Sequence, residues 1–146
     1  MAYDITQEPP RVVEADRQIG RSVERLREIS GQDVQHAIRT WWFGEVYFGE
    51  EDGVLFLRHH ERGQRVLDER FATVGELVEH VVALQARWAA QRYESEHRRE
   101  GEDSRRQWFT LLARWLDALD PAWGRAERQR QAAILEVNPF VDDRER

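Results

Sequence analysis

Apolar positions recur at helical spacing in the first part of the chain. Between residues 11 and 30 this spacing predicts one amphipathic helix, and Gly31 stands where such a helix would end. Pro9 and Pro10 precede the helix, and we expect regular structure to stop at them, with residues 1–10 flexible. The apolar positions that carry this pattern are Val12, Ile19, Val23, Leu26 and Ile29.

The next apolar stretches are short, aromatic and β-branched, which is typical of strands. Three of them, residues 41–48, 54–58 and 65–71, are separated by glycine-containing turns at 49–53 and 61–64. The Asp-Gly pair in the first turn is a hairpin signal because the turn needs positive φ. The sequence therefore predicts a three-stranded antiparallel meander, which must bury one face against helices to be stable.

The remainder of the chain has a helical period. Thr73 and Glu76 form a capping box at the start of a long helix, and a second helix follows a polar connector at 95–102, capped by Asp103 or Ser104. Asp120-Pro121 predicts a third start, because proline suits a first helical turn. The stripe of the long helix is Val74, Leu77, Val78, Val81, Leu84, Trp88 and Tyr93.

These elements predict an α+β fold in one domain, residues 1–146. We expect an N-terminal helix, the three-stranded antiparallel meander, and three C-terminal helices packed on one face. The sequence Asn138-Pro139-Phe140 breaks the last helix, and residues 141–146 are read as a charged tail. The Trp side chains on the helical stripes are expected in the core.

Composition narrows the function classes. The formal net charge of −6 and the pI of about 5.4 disfavour binding to phosphate backbones and favour a basic protein partner. The absence of cysteine excludes disulfides and thiolate metal sites. No signal peptide and no membrane-spanning run is recognisable, so we expect a soluble cytoplasmic protein without membrane contact, metal or cofactor.

A polar cluster lies between the two long predicted helices. It can hold the corner between these helices through Arg–carboxylate pairs, or it can form a recognition surface. Its members are Tyr93, Glu94, Arg98, Asp103 and Arg106, with Arg99 and Arg105 beside them.

The first hairpin tip is acidic and follows an aromatic run. Glu50, Glu51 and Asp52, with Glu45 upstream, form either a solvated tip or a contact for a basic partner. Strand alternation predicts that Trp42 lies on the opposite face from its two aromatic neighbours. It is therefore either a second core residue or an exposed interface anchor.

His59-His60-Glu61 is the most metal-like sequence in the chain. Adjacent strand residues point to opposite faces, so the two imidazoles are not expected to share one metal. Glycine-rich phosphate loops, nucleophile elbows and paired-histidine helices are absent from the sequence. We therefore expect no catalytic residues and no enzyme.

Three sequence segments recur in the same order in a known family. They are the turn at 61–63, the helix end at 89–94 with Arg98, and Asp103-x-Arg105-Arg106-x-x-Phe109 followed by the segment 134–142. Together they resemble the immunity protein 63 family of bacterial polymorphic toxin systems, and the resemblance spans roughly residues 40–142. It implies an antidote that binds the toxin domain encoded beside it, with Arg98, Asp103 and Arg106 on the family's Arg and Asp positions.

The function expected from this resemblance is stoichiometric neutralisation of a cognate toxin, with a basic domain such as a nuclease as the suggested partner. Two alternatives are a general or homo-oligomeric protein-binding module and a small metal-dependent hydrolase using His59, His60 and Glu61. The oligomeric state, the identity of the toxin and the role of residues 1–40 are open at the level of sequence.

Overall fold

A computed structural model describes residues 4–34, 36, 39–40 (backbone only) and 46–143. After a short 3₁₀ helix at Ile5–Gln7, the elements are α1 (Pro10–Ser30), β1 (Arg39–Thr40), β2 (Tyr47–Glu51), β3 (Val54–Glu61), β4 (Gln64–Phe71), α2 (Val74–Glu96), α3 (Ser104–Leu119) and α4 (Pro121–Val137). This order confirms the predicted α+β class, with a helix, an antiparallel three-stranded sheet and three further helices.

The sheet has the strand order β1-β2-β3-β4 within the described residues. Strands β2, β3 and β4 form the predicted antiparallel meander, with Phe48 opposite Leu57 and Arg58 opposite Asp68. The two-residue strand β1 pairs with β2 in parallel, which the sequence pattern did not indicate. A pairing of two residues leaves almost no periodic signal, so this addition could not be predicted.

Two tight turns set the register of the meander. Asp52 and Gly53 have φ angles of 52° and 76°, and Arg62 and Gly63 have 51° and 78°. Two consecutive positive φ angles suit the right-handed twist of a two-residue hairpin. The first turn is therefore shorter than the predicted 49–53, because β2 continues to Glu51.

Helix α1 begins one residue earlier than the sequence predicted. Pro10 is its first residue rather than part of a stop, because the missing N–H of proline is not needed in a first helical turn. The helix ends as expected at Gly31, which has a φ of 67° and donates its N–H to the carbonyl of Arg27 at 2.9 Å.

The three later helices begin at the predicted caps. Thr73 accepts a hydrogen bond from the N–H of Glu76 at 3.1 Å, while the Glu76 carboxylate accepts from the N–H of Ala72 rather than from that of Thr73. Asp103 caps α3, and Asp120 caps α4 with proline in the first turn. Local chemistry within three or four residues was sufficient for these predictions.

The chain divides into two compact units, residues 1–23 with 35–82 and residues 24–34 with 83–146. In the first unit the central strand β3 is buried on both faces, because Leu55 and Leu57 alternate with Phe56 and Arg58. The apolar core of this unit includes Val12, Ala15, Ile19, Val23, Phe48, Leu55, Leu57, Leu77, Val78, Val81 and Val82. The core of the second unit includes Leu26, Val34, Ala86, Ala89, Ala90, Phe109, Leu112, Ala113, Trp115 and Leu116.

Trp88 does not lie in the core, contrary to the predicted stripe of α2. It is 40% exposed, while Ala86, Ala89 and Ala90 are buried. The predicted stripe included large apolar residues and left out the alanines. Alanine is common where two helices approach closely, because its side chain is small. The prediction was therefore wrong about which face of α2 is buried after residue 84.

None of the helices in the described segments is long and apolar enough to cross a membrane. The single domain spanning residues 1–146 and the packing of three helices on one face stay predictions.

Candidate functional site

The start of α3 is tied to the segment that follows α4. One oxygen of the Asp103 carboxylate, Oδ1, accepts from the N–H of Arg105 at 3.0 Å, and the other, Oδ2, accepts from the N–H of Val141 at 2.9 Å. The Arg105 guanidinium donates to both oxygens, at 3.1 and 2.8 Å. Asp103 thus serves as helix cap and as anchor for the C-terminal segment.

Arg105 strengthens the same connection. Its two terminal nitrogens donate to the backbone carbonyls of Asn138 at 2.8 Å and Pro139 at 2.9 Å. Both carbonyls follow the last residue of α4 and have no partner within that helix, so the guanidinium satisfies groups that would otherwise need water.

A second aspartate completes this arrangement. Asp142 is only 2% exposed, and its Oδ1 accepts from the N–H of Asp103 at 2.8 Å and from the Arg106 guanidinium at 3.0 Å. The same guanidinium lies 4.4 Å from the centre of the Phe140 ring, which contacts Phe109. We call Asp103, Arg105, Arg106, Phe140 and Asp142 the C-terminal cluster.

The expectation of a charged tail at 141–146 was therefore wrong for Asp142. Its carboxylate is buried because two donors of α3 and its connector compensate for its lost hydration. One sequence feature could have indicated this burial. The apolar residue Phe140 lies two residues before Asp142, in the segment that follows the end of α4.

The hydrogen bonds from Arg105 hold the pKa of the Asp103 carboxyl well below its usual range, and those from the Val141 and Arg105 N–H groups act in the same direction. A lowered folded-state pKa means that the contribution of Asp103 to stability is complete above the unfolded pKa of about 3.9 and is lost as the pH falls through the folded value.

We therefore expect the stability difference between the native chain and Asp103→Asn to depend on pH in one direction. The difference in unfolding free energy should be constant between about pH 5 and 7 and should shrink below about pH 4, where Asp103 of the unfolded native chain takes up a proton while Asp103 of the folded chain stays ionised. Urea unfolding at fixed pH values measures it. A difference that grows on acidification would contradict the assigned ion pair.

The other members of the predicted polar cluster form a separate pair of contacts. Glu94 is buried and accepts from the Arg98 guanidinium at 3.0 Å, and this contact raises the pKa of Arg98. Tyr93 stacks on His97 with ring centres 4.0 Å apart. Tyr93 and Glu94 therefore support the end of α2, while the side chain of Arg98 remains 66% exposed.

A surface depression of about 380 Å³ brings Arg98 and Asp103 together. Its other lining residues include Arg99, Ser104 and Val141. Arg106 and Asp142 line a neighbouring depression of about 440 Å³ with the connector at 100–102. The predicted cluster thus divides into supporting residues and a groove lined by Arg98, Arg99 and the C-terminal segment.

The acidic hairpin tip is mostly paired within the chain. Glu50 accepts from the Arg11 guanidinium at 2.7 Å, and Glu51 accepts from that of Arg58 at 2.7 Å. Asp52 is exposed at the turn, and the structure records no ion pair for it with any described residue. Two of the three tip carboxylates therefore hold the hairpin in place. Trp42 and Glu45 lie outside the described residues.

Arg58 is the polar residue that the sequence reading missed. It is 3% exposed, and it donates to Glu51 and, at 3.0 Å, to Asp68 on the neighbouring strand. Its guanidinium carbon lies 3.9 Å from the centre of the Phe56 ring. Hydrogen bonding to Glu51 raises the pKa of Arg58, so this buried charge is permanent. Only the acids opposite it in the meander could have indicated the pairing.

His59 and His60 have different partners, as the strand alternation predicted. The ring Nδ1 of His60 lies 3.2 Å from the Tyr47 hydroxyl, and the ring Nε2 of His59 lies 3.4 Å from Glu61. Among the described residues, no group of three or more His, Asp or Glu side chains could hold a metal ion.

The comparisons with known proteins identify the family. A family model described as immunity protein 63 matches residues 51–133, from the end of β2 into the last third of α4. The chain belongs to the immunity protein 63 family. No curated protein and no solved structure matches it.

Proposed function

We propose that this protein neutralises a cognate bacterial toxin by stoichiometric binding and without catalysing a reaction. The observation that carries this proposal is the family match over residues 51–133. The toxin would be the domain encoded beside it in a polymorphic toxin system, and binding would take place in the cytoplasm of the cell that makes both. Immunity of this kind requires a surface complementary to the toxin rather than a reaction centre.

The distribution of charge favours a basic partner for the first unit. That unit, residues 1–23 with 35–82, contains 13 acidic and 8 basic residues, while the second unit contains 15 and 14. Most of the net charge of −6 therefore belongs to the unit that contains the hairpin tip. Opposite charge accelerates the encounter with a partner more than it raises final affinity.

Asp52 is the tip carboxylate best placed for such a contact. Glu50 and Glu51 are held by Arg11 and Arg58, so their role in this proposal is to fix the hairpin that presents Asp52. Trp42 and Glu45 precede this hairpin in the chain and are proposed as further contacts. Arg98, which lines the same depression as Asp103, is proposed as a contact of the second unit.

The proposal predicts that Asp52→Asn slows association with the toxin domain about fivefold at low salt, with little change in dissociation. Asparagine tolerates the φ of 52° at this position, so the hairpin should be retained. Surface plasmon resonance with the purified toxin domain measures both rates. In cells, the native chain should restore growth when co-expressed with that domain.

The matched control is Glu136→Gln, which makes the same charge change at an exposed position of α4. It should leave the association rate unchanged. Equal slowing by both variants would show that only total charge matters and would remove Asp52 from the interface. Failure of the native chain to form a one-to-one complex or to restore growth would overturn the proposed function.

A further inference from the structure

Strand β4 forms an open edge of the sheet in the first unit. It is the last strand in the order β1-β2-β3-β4 and is eight residues long. The opposite edge is occupied by β1, which has only two residues. The structure records backbone hydrogen bonds of β4 with β3 alone among the described residues. The outer N–H and C=O groups of β4 are therefore free to pair with another strand.

A bulge limits which part of this edge is regular. His59 lies opposite Leu67 and His60 opposite Arg65, so Val66 is an extra residue in β4. Val66 is 54% exposed, and the strand is bent there. Regular pairing outward from β4 is thus confined to the five residues from Leu67 to Phe71, whose midpoint is Glu69.

The charges of this segment are self-complementary. In an antiparallel pair centred on Glu69, Asp68 of one strand lies opposite Arg70 of the other, and the contact occurs twice because of the two-fold axis. Leu67 likewise lies opposite Phe71 twice. Residues directly opposite one another share a face and interact. Each of the three possible centres places one pair of like charges on the axis, but centring the pair on Asp68 or on Arg70 would also lose both Asp68–Arg70 contacts.

The two Glu69 side chains meet on the axis of this arrangement. Each Glu69 carboxylate lies 3.1 Å from the Nε2 of its own His80, so it has a polar contact within its own chain. One strand pair of five residues buries less than the roughly 1,000 Å² expected of a stable interface. The association should therefore be weak and depend on concentration.

We propose that β4 binds a second copy of this chain, edge to edge and antiparallel about Glu69. The result is a continuous sheet across two chains. This inference does not depend on the proposed neutralisation of a toxin, because it concerns the chain alone and is tested without a partner.

Sedimentation equilibrium of the native chain tests the proposal. The apparent mass should rise from 17.4 kDa towards twice that value as the concentration increases, over a range from roughly 20 µM to 1 mM, as suits a small interface. Hydrogen exchange at the highest concentration should show added protection at residues 67–71. A mass that stays monomeric over this range would overturn the proposal.

The variant Arg70→Glu tests the charge pairing. It places like charges opposite each other twice and should weaken the dimer roughly tenfold. The side chain of Arg70 is 55% exposed, and its contact with Asp68 within the chain is long, at 3.5 Å. Losing this contact should therefore leave the fold intact. The control Arg62→Glu makes the same charge change at the exposed second turn and should dimerise like the native chain.

Two further outcomes would also overturn the proposal. One is a dimer that Arg62→Glu weakens as much as Arg70→Glu does, since total charge would then explain the effect. The other is a monomer whose residues 67–71 gain protection only when the toxin domain is added, since the occupant of the edge would then be a strand of the toxin.

Discussion

Replacing Asp103 with alanine is expected to lower the free energy of unfolding by about 3 kcal/mol. The change removes the cap of α3, the acceptor for the Val141 N–H, and the carboxylate that Arg105 binds with two nitrogens. A hydrogen bond to a charged group contributes roughly 1.5–3 kcal/mol and a helix cap about 1 kcal/mol, with partial replacement by water. Urea unfolding followed by circular dichroism measures the loss.

Glu102→Ala provides the matched control for this prediction. Glu102 is the neighbouring acid, and its single ion pair with Arg99 spans 3.5 Å at the surface, so its removal should cost less than about 1 kcal/mol. The N–H of Val141 should exchange faster in Asp103→Ala than in the control. If both variants lose the same stability, or if exchange at Val141 is unchanged, the C-terminal cluster does not hold the end of the chain.

Local sequence signals predicted the starts of the helices and the turns of the sheet. Asp103, Asp120 and the Thr73–Glu76 pair act on backbone groups two to four residues away, so their chemistry can be read from a short window of sequence. The start of α1 differs from the prediction because a proline pair indicates a stop in the sequence, although a proline at the first helical position is compatible with the backbone hydrogen-bond pattern.

Long-range pairing explains what sequence reasoning missed in the candidate site. Asp103 and Arg106 were predicted only as members of one polar cluster, and their partner Asp142 lies 39 and 36 residues further along the chain. Arg58 likewise pairs with Asp68 across a strand and with Glu51 across a hairpin. A helical or strand period identifies buried faces, but it does not indicate which acidic side chain pairs with which arginine.

The hairpin tip is a second place where the sequence did not reveal which charges are paired. Three consecutive acids suggested a free acidic surface, and the structure pairs two of them within the chain. Arg11 reaches the tip from α1, where it also donates to the carbonyls of Gly53 and Ala72. The first turn of α1 thus stabilises the tip, a role that could not be assigned from the resemblance because it begins at about residue 40.

A close contact between α3 and α4 depends on the absence of a side chain at Gly124. A Cβ atom built there would lie 1.8 Å from Oδ1 of Asp117 and 2.9 Å from its backbone Cα. The carboxylate could rotate away only by giving up Arg128, which donates to both of its oxygens. The Cα of Asp117 belongs to the backbone of α3, so it cannot move unless the two helices separate.

Gly124→Ala is therefore expected to destabilise the protein by about 2–3 kcal/mol, in the upper part of the roughly 1–3 kcal/mol that overpacking typically costs. Helix propensity alone argues for the opposite sign, because alanine is favoured over glycine in a helix by about 1 kcal/mol. Gly75→Ala is the control: its new Cβ would lie 3.9 Å from the Thr73 hydroxyl, so propensity should dominate and stability should rise by up to about 1 kcal/mol. Opposite shifts of the melting temperature establish the contact, whereas a gain in both variants would show that α3 and α4 do not approach at Gly124.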